Sequence, residues 1–217
     1  MTPADLLDQQ LRRDGARPLL TWYDDSTGER IELSVATAAN WAAKTANLLV
    51  DGHGLDAGDA VALDPPSHWL TAVVVLGAWT AGIPVDLRAG ATDIQLPSDP
   101  AQFMRMVLPQ PDALLVPPAS PTDIAVRTDE RTLSLDELVK AAGTPTVGMR
   151  VMTTLPLDST DGLVAALVAP LVAGGSSVLV VAADVEKLPA RAESERVTHT
   201  AGLQLPGLPT CQTVGLL

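Results

Sequence analysis

The chain has 217 residues, 47% hydrophobic and only 3% aromatic, so a buried core is expected and must be built mostly from Leu, Val and Ala. Its 26 acidic and 14 basic residues give a formal net charge of −12, which repels phosphate backbones and anionic lipid surfaces and argues against nucleic-acid or membrane partners. A single cysteine, Cys211, cannot close an internal disulfide, and His53, His68 and His199 lie too far apart in sequence to suggest a metal cluster, so neither a metal nor another cofactor is expected.

Residues 4–13 place Leu6, Leu7 and Leu11 on one side of a short amphipathic helix. Two β-prone runs, LLTWYDD and ERIELS, flank Ser26, Thr27 and Gly28 and predict a hairpin. Ser34 is placed to cap a helix from Val35 to about Val50, which Gly52 and Gly54 stop. A short strand at 60–63, a helix over 68–81 ended by Gly82 and a strand at 83–87 make a βαβ unit, with the parallel strands that a crossover requires. Both strands are apolar on both faces, as in a sheet covered by helices.

From Ala89 to Thr122 seven prolines crowd the chain, around one expected helical turn (AQFMRMVL) and one expected strand (ALLV, 113–116). This stretch reads as the seam between two lobes of a single domain, the first about 1–95 and the second about 110–217. Beyond it come a strand at 123–126, a helix over 133–142 capped by Ser134, a strand at 150–157, a helix over 162–172 and a buried strand at 177–182. A surface helix over 184–196 and a last strand at 197–200 complete the order, and the tail after Gly202 is apolar and turn-rich.

Three stretches carry a resemblance. IELSVATAANWAAKTANLLVDGHGLDAGDAVAL (31–63), with Gly54 and Gly58–Asp59, VLGAWTAGIPVDL (75–87) and LPLDSTDGLVAALVAPLVAGGSSVLV (155–180) resemble, in the right order, the N-terminal part of the acyl-adenylate-forming superfamily of acyl-CoA synthetases, adenylation domains and luciferases. The resemblance implies an α/β fold in three layers, mostly parallel sheets with flanking helices. It also implies AMP-dependent ligase chemistry, and there this chain departs from it. After a strand like DIAV the family carries a loop rich in Gly, Ser and Thr, with a Lys, whose main-chain N–H groups wrap the ATP phosphates. Here RTDERTLSLDEL (127–138) holds neither glycine nor lysine and carries Asp129, Glu130, Asp136 and Glu137, against which Arg127 and Arg131 supply only partial compensation. Ser159 stands where the family has a His. The family also continues for several hundred residues past the point matched by Leu217, with its adenine-contacting segment, magnesium-binding Glu, ribose-binding Asp and catalytic Lys. Losing one electrostatic contact to a transition state typically costs about 10²–10³ in rate, so no adenylation is expected and no catalytic residue is assigned.

The best-placed polar cluster is Asp158, Ser159, Thr160 and Asp161, at the carboxyl end of an expected strand, where α/β sheets hold ligands. Its plainer role is to cap the helix that follows and to set carboxylates at the positive end of that helix. Asp64, Ser67 and His68 invite comparison with a hydrolytic triad, but sequence neighbours seldom converge, and a helix cap beside a surface histidine explains them. Gly174–Gly175 follows a helix and suits a C-cap. His199 is expected to be a half-buried, hydrogen-bonded strand residue, and the four tryptophans to pack into the first lobe.

Two functions remain open at this point. One is a catalytically degenerate relative, a pseudoenzyme acting as a binding or assembly module, with a homodimer or a protein partner covering sheet edges and apolar surface. The other is a small protein that binds a nucleotide, CoA or an acyl group, or retains residual ligase activity, in a crevice between the lobes near Asp158–Asp161. A cytoplasmic location is expected, from the single thiol and from an N-terminus unlike a secretory signal.

Overall fold

The computed structural model describes residues 1–56, 58–63, 68–88, 94–95 and 99–211. Helix α1 (Pro3–Asp14) starts from a reciprocal cap in which Thr2 Oγ1 accepts the Asp5 N–H and the Asp5 carboxylate accepts the Thr2 N–H. Leu6 and Leu7 are buried, whereas Leu11 is 38% exposed. Strands β1 (Pro18–Asp24) and β2 (Glu29–Ser34) form the expected antiparallel hairpin, closed by Gly28 N donating to Asp24 O at 2.8 Å with Gly28 at φ +79°. Ser34 Oγ accepts the Thr37 N–H and opens α2 (Val35–Asn47), which widens into a π-helical turn over Leu48–Gly52.

Strand β3 (Val61–Ala62), helix α3 (Trp69–Thr80) and strand β4 (Val85–Asp86) make the first parallel crossover. Helix α3 is buried along nearly all its length. Trp79 is fully buried and donates its indole N–H to Ala125 O at 2.9 Å, while a Cβ on Gly77 would come within 2.5 Å of Thr45. A two-residue strand, β5 (Ile94–Gln95), and α4 (Pro100–Val107), capped by Asp99, follow. The expected strand at 113–116 does not form: Asn47 of α2 bonds Ala113 O and Leu115 N, taking an acceptor and a donor that a sheet neighbour would use.

Strands β6 (Ile124–Arg127) and β7 (Thr132–Ser134) form a second hairpin, and α5 (Leu135–Ala141) is capped by Ser134 as expected, while Leu133, expected at the start of the helix, belongs to β7. Strand β8 (Arg150–Thr153) is shorter than expected. It leads to one continuous helix made of α6 (Thr160–Leu163), a π-helical segment Val164–Val168 and α7 (Ala169–Ala173), then to β9 (Ser176–Val181) in parallel with β8. Helix α8 (Leu188–Ser194) and β10 (His199–Ala201) come last.

The strands lie in two five-stranded sheets, ordered β10-β8-β9-β1-β2 and β5-β3-β4-β6-β7. Each is parallel except for an antiparallel hairpin at one edge. The first sheet draws from both ends of the chain: Trp22 of β1 pairs with Leu179 of β9. One large core joins residues of both sheets to α1–α7, and a smaller one packs Met152, Val178 and Val180 against Leu188 and Ala192 of α8 on the other face of the first sheet. This is the layered α/β architecture expected from the sequence. No described helix is long and apolar enough to cross a membrane.

Candidate functional site

The Asp158–Asp161 cluster sits beyond the end of β8. Ser159 is the cap: its Oγ accepts the Gly162 N–H at 3.1 Å and donates to Pro156 O at 2.8 Å. The turn is so tight that a Cβ on Gly162 would come within 1.8 Å of Pro156 O. Asp158 is exposed, and Thr160 is half-buried in the first turn of α6. Asp161 alone of the four lines a cavity of about 590 Å³.

All the walls of that cavity come from residues between Ala142 and Cys211. Met149 and Val151 form the β8 side, Val164, Ala165 and Ala169 the helix side, and Ala201 the β10 side. The helix side includes the π-helical segment, a geometry that recurs at functional sites because it shifts side chains off the regular helical rows. The volume is that of a small-molecule site, and a mostly apolar lining with a few polar groups is the usual composition of one. His199 is among the polar groups. Its Nδ1 lies 2.9 Å from Thr198 Oγ1 and its Nε2 lies 3.2 Å from Thr146 Oγ1, so the ring is satisfied, as expected, and ties the 144–146 loop to β10. Cys211 also lines the cavity, where its thiol meets Met149 Sδ at 4.0 Å and burial pushes its pKa up. A thiol with a raised pKa is a poor nucleophile near neutral pH. The sequence held no local signal for this cavity, because its lining is gathered from five separate segments.

At the position where the resemblance calls for a phosphate loop, the structure has the tight β6–β7 turn. Thr128 N donates to Arg131 O at 2.8 Å, and Thr128 Oγ1 accepts the N–H groups of Glu130 and Arg131 at 3.3 and 3.1 Å. Three main-chain amides of this turn, those of Thr128, Glu130 and Arg131, are thus bonded within it. The helix behind the hairpin is closed as well: Glu137 Oε2 accepts the Ser134 N–H at 2.8 Å, and Asp136 pairs with Lys140 at 2.5 Å. Arg127 donates to Gly58 O at 3.3 Å.

Of the triad-like residues, Asp64 and Ser67 lie outside the described residues. His68 is half-buried rather than at the surface, and it is itself the helix cap: Nδ1 accepts the Leu70 N–H at 3.1 Å and the ring lies 4.8 Å from that of Trp22. Gly174, at φ +61°, is the C-cap of α7 as expected. Among the described residues no group of three or more His, Cys, Asp or Glu is placed to hold a metal ion.

No family model matches the chain. A TIGR03089 family protein of Mycobacterium tuberculosis (strain ATCC 25618 / H37Rv) is 33% identical over 232 residues, an alignment that covers 89% of this chain and 95% of the relative. The chain belongs to the TIGR03089 family. Solved structures place the fold of this TIGR03089 family member among the N-terminal regions of acyl-CoA synthetases. The inhibitor-bound N-terminal domain of FACL13 from M. tuberculosis superposes with a TM-score of 0.75 at 13% identity, over 98% of this chain and 67% of that one. A fatty acyl CoA synthetase of M. tuberculosis gives 0.72 at 14% identity, over 92% and 49%. The anthranilate CoA ligase AuaEII, in complex with anthranoyl-AMP, gives 0.73 at 14% identity, over 93% and 48%. The chain thus spans between about half and two thirds of these structures.

Proposed function

We propose that the protein is a catalytically degenerate relative of the acyl-adenylating enzymes, a non-catalytic binding or assembly module. The observation that carries this reading is the Thr128–Arg131 turn. It bonds three of its own main-chain amides internally, in a segment with four carboxylates and no lysine. Electrostatic stabilisation of developing charge is the largest contribution in most enzymes of comparable chemistry, and the scaffold here keeps its layers without that device. The unpaired thiol of Cys211 suits a reducing compartment, and we place the protein in the cytoplasm on that ground. Assembly with a second copy or another protein would cover the open sheet edges. The test of non-catalysis is calorimetry with Mg-ATP and AMP together with ATP–pyrophosphate exchange across a panel of carboxylic acids. Neither saturable nucleotide binding nor exchange is expected, and exchange above the no-protein control contradicts the proposal.

The cavity beside Asp161 favours a second reading, binding of a small acyl or aryl group without its activation. Asp161 at the rim disfavours a free carboxylate there and favours a neutral ligand such as an ester or thioester. Saturable binding of an acyl-CoA, lost when Ala165→Leu narrows the cavity, supports this reading. Binding that survives the substitution sinks it.

A further inference from the structure

Strand β2 has one hydrogen-bonded neighbour, β1, and forms an edge of the first sheet. The opposite edge is occupied by the chain itself: Thr200 N donates to Pro209 O at 2.9 Å and Cys211 N to Thr200 O at 2.6 Å. The edges of the second sheet are the two-residue β5 and the three-residue β7. With six residues, β2 is the longest edge left open among the described residues.

The direction of its main chain follows from its neighbours. Asp25 N donates to Val181 O of β9, whereas Asp24 O accepts from Gly28 N on the hairpin side. Along β1 these directions alternate, so Trp22 exchanges its hydrogen bonds with Ile31, its register partner. Ile31 therefore bonds inward, and the N–H and C=O groups of Arg30 and Glu32 point away from the sheet. No other described segment bonds the main chain of Arg30 or Glu32. Their side chains share one face and are joined at 2.6 Å, Arg30 Nη2 to Glu32 Oε2.

We infer that β2 is a two-fold contact between two copies of this chain, paired antiparallel with Ile31 opposite the partner's Ile31 and Arg30 opposite the partner's Glu32. The inference rests on the assembly reading above and commits it to one surface. Three properties select this register. Its hydrogen-bonded pairs are the residues whose main-chain groups point outward. Each Arg30, held by Glu32 and Glu195 of its own copy, meets Glu32 of the other copy, so opposite charges face each other across the contact. A shift along the strand to either side sets Arg30 against Arg30 or Glu32 against Glu32, and like charges directly opposite are destabilising. The apolar Ile31 pair sits at the centre, where a non-hydrogen-bonded pair brings side chains closest. The two first sheets would then run continuously through the dyad. An isologous contact of this kind closes on itself and does not propagate.

The test uses the full chain. Light scattering after size exclusion at about 0.15 M salt, where charge repulsion is screened beyond about 8 Å, is expected to give the mass of a dimer. In a Cys211→Ser background, Ile31→Cys sets two Cα atoms about 4.5 Å apart across the dyad, inside the disulfide range of about 4.4–6.8 Å. It is expected to cross-link under mild oxidation, whereas Glu29→Cys, opposite the partner's Leu33, is expected not to. Glu32→Lys is expected to weaken the dimer at least ~10-fold, with circular dichroism confirming that it folds. A monomer at every concentration overturns both the contact and self-assembly. A dimer that resists cross-linking at Ile31 and tolerates Glu32→Lys overturns the β2 contact and leaves self-assembly standing through another face.

Discussion

Ser34 and Ser134 hold corresponding places in the two sheets. Each ends an antiparallel edge strand and turns its hydroxyl onto the helix that follows, at 3.1 Å to Thr37 N and 3.3 Å to Glu137 N. In both cases the next residue bonds back to the residue just ahead of the hairpin's first strand, Val35 N to Arg17 O and Leu135 N to Asp123 O, at 2.9 Å each. The segment where an adenylating enzyme is expected to hold its phosphate loop is thus a hairpin-to-helix unit built like the one at the N-terminus. Ser134→Ala and Ser34→Ala are each expected to cost about 1 kcal/mol, read as a fall of about 2–4 °C in thermal midpoint. Unchanged midpoints would show that the hydroxyls do not hold these helices.

Arg191 clasps Asp25 with two hydrogen bonds, 2.6 and 3.1 Å, its side chain 10% and that of Asp25 5% exposed, and it also lies over the Tyr23 ring at 4.2 Å. This pair locks α8 onto the first sheet. Arg191→Ala leaves a buried carboxylate without its counter-charge, and we expect about 3 kcal/mol of lost stability in denaturant titrations. The Arg191 hydrogen bond holds the Asp25 carboxyl below its ordinary 3.8. Its contribution is therefore complete above pH 3.8 and is lost as pH falls through the lower folded-state value. The variant should show a shallower acid limb than the wild type, and parallel limbs would contradict the assignment.

Burial pushes the pKa of His68 below its ordinary 6.5, while Glu29 and Asp24 pull it partly back. A histidine depressed in the folded state binds fewer protons there than when unfolded. Its stabilising share is thus full above pH 6.5 and declines as pH drops below that value. The geometry agrees, since a protonated Nδ1 can no longer accept the Leu70 N–H and a cation would sit at the positive end of α3. Thermal midpoints measured between pH 8 and 5 should fall for the wild type and flatten for His68→Asn, which keeps a capping oxygen. An equal slope in both proteins would remove His68 as the cause.

The start of α6 depends on the absence of a side chain at Gly162, where a Cβ would strike Pro156 O at 1.8 Å. Gly162→Ala must move the turn that carries Ser159 and Asp161 and is expected to cost more than about 2 kcal/mol, the range of steric core defects. Gly58→Ala, whose Cβ would approach the flexible Asp56 carboxylate at 3.1 Å, is the contrasting control, with a small expected effect. Equal midpoints for the two variants would show that the α6 turn relaxes freely.

Local signals made much of the architecture legible. Gly28 between alternating runs marked the first hairpin, Ser34 and Ser134 marked helix starts, and the apolar run into Gly82 marked the end of α3. What pairs across long stretches of sequence was not legible: nothing local in Trp22 says that its neighbour in the sheet is Leu179. Ala113–Val116 has the composition of a strand but receives its hydrogen bonds from Asn47, and Thr132–Ser134 is too short to show a period. At the candidate site, a cap by Ser159 or Thr160 could be read from their position before Gly162, and the structure gives it to Ser159. The cavity could not, because the approach of Met149, Val164, Ala201 and Cys211 is a property of the assembled layers.

We propose that the Thr128–Arg131 turn leaves no grip on a triphosphate. Calorimetric titration of the full chain with Mg-ATP, run beside ATP–pyrophosphate exchange, tests it most directly. No saturable heat at millimolar nucleotide and no exchange are expected, and either saturable Mg-ATP binding or exchange above the no-protein control would contradict the proposal.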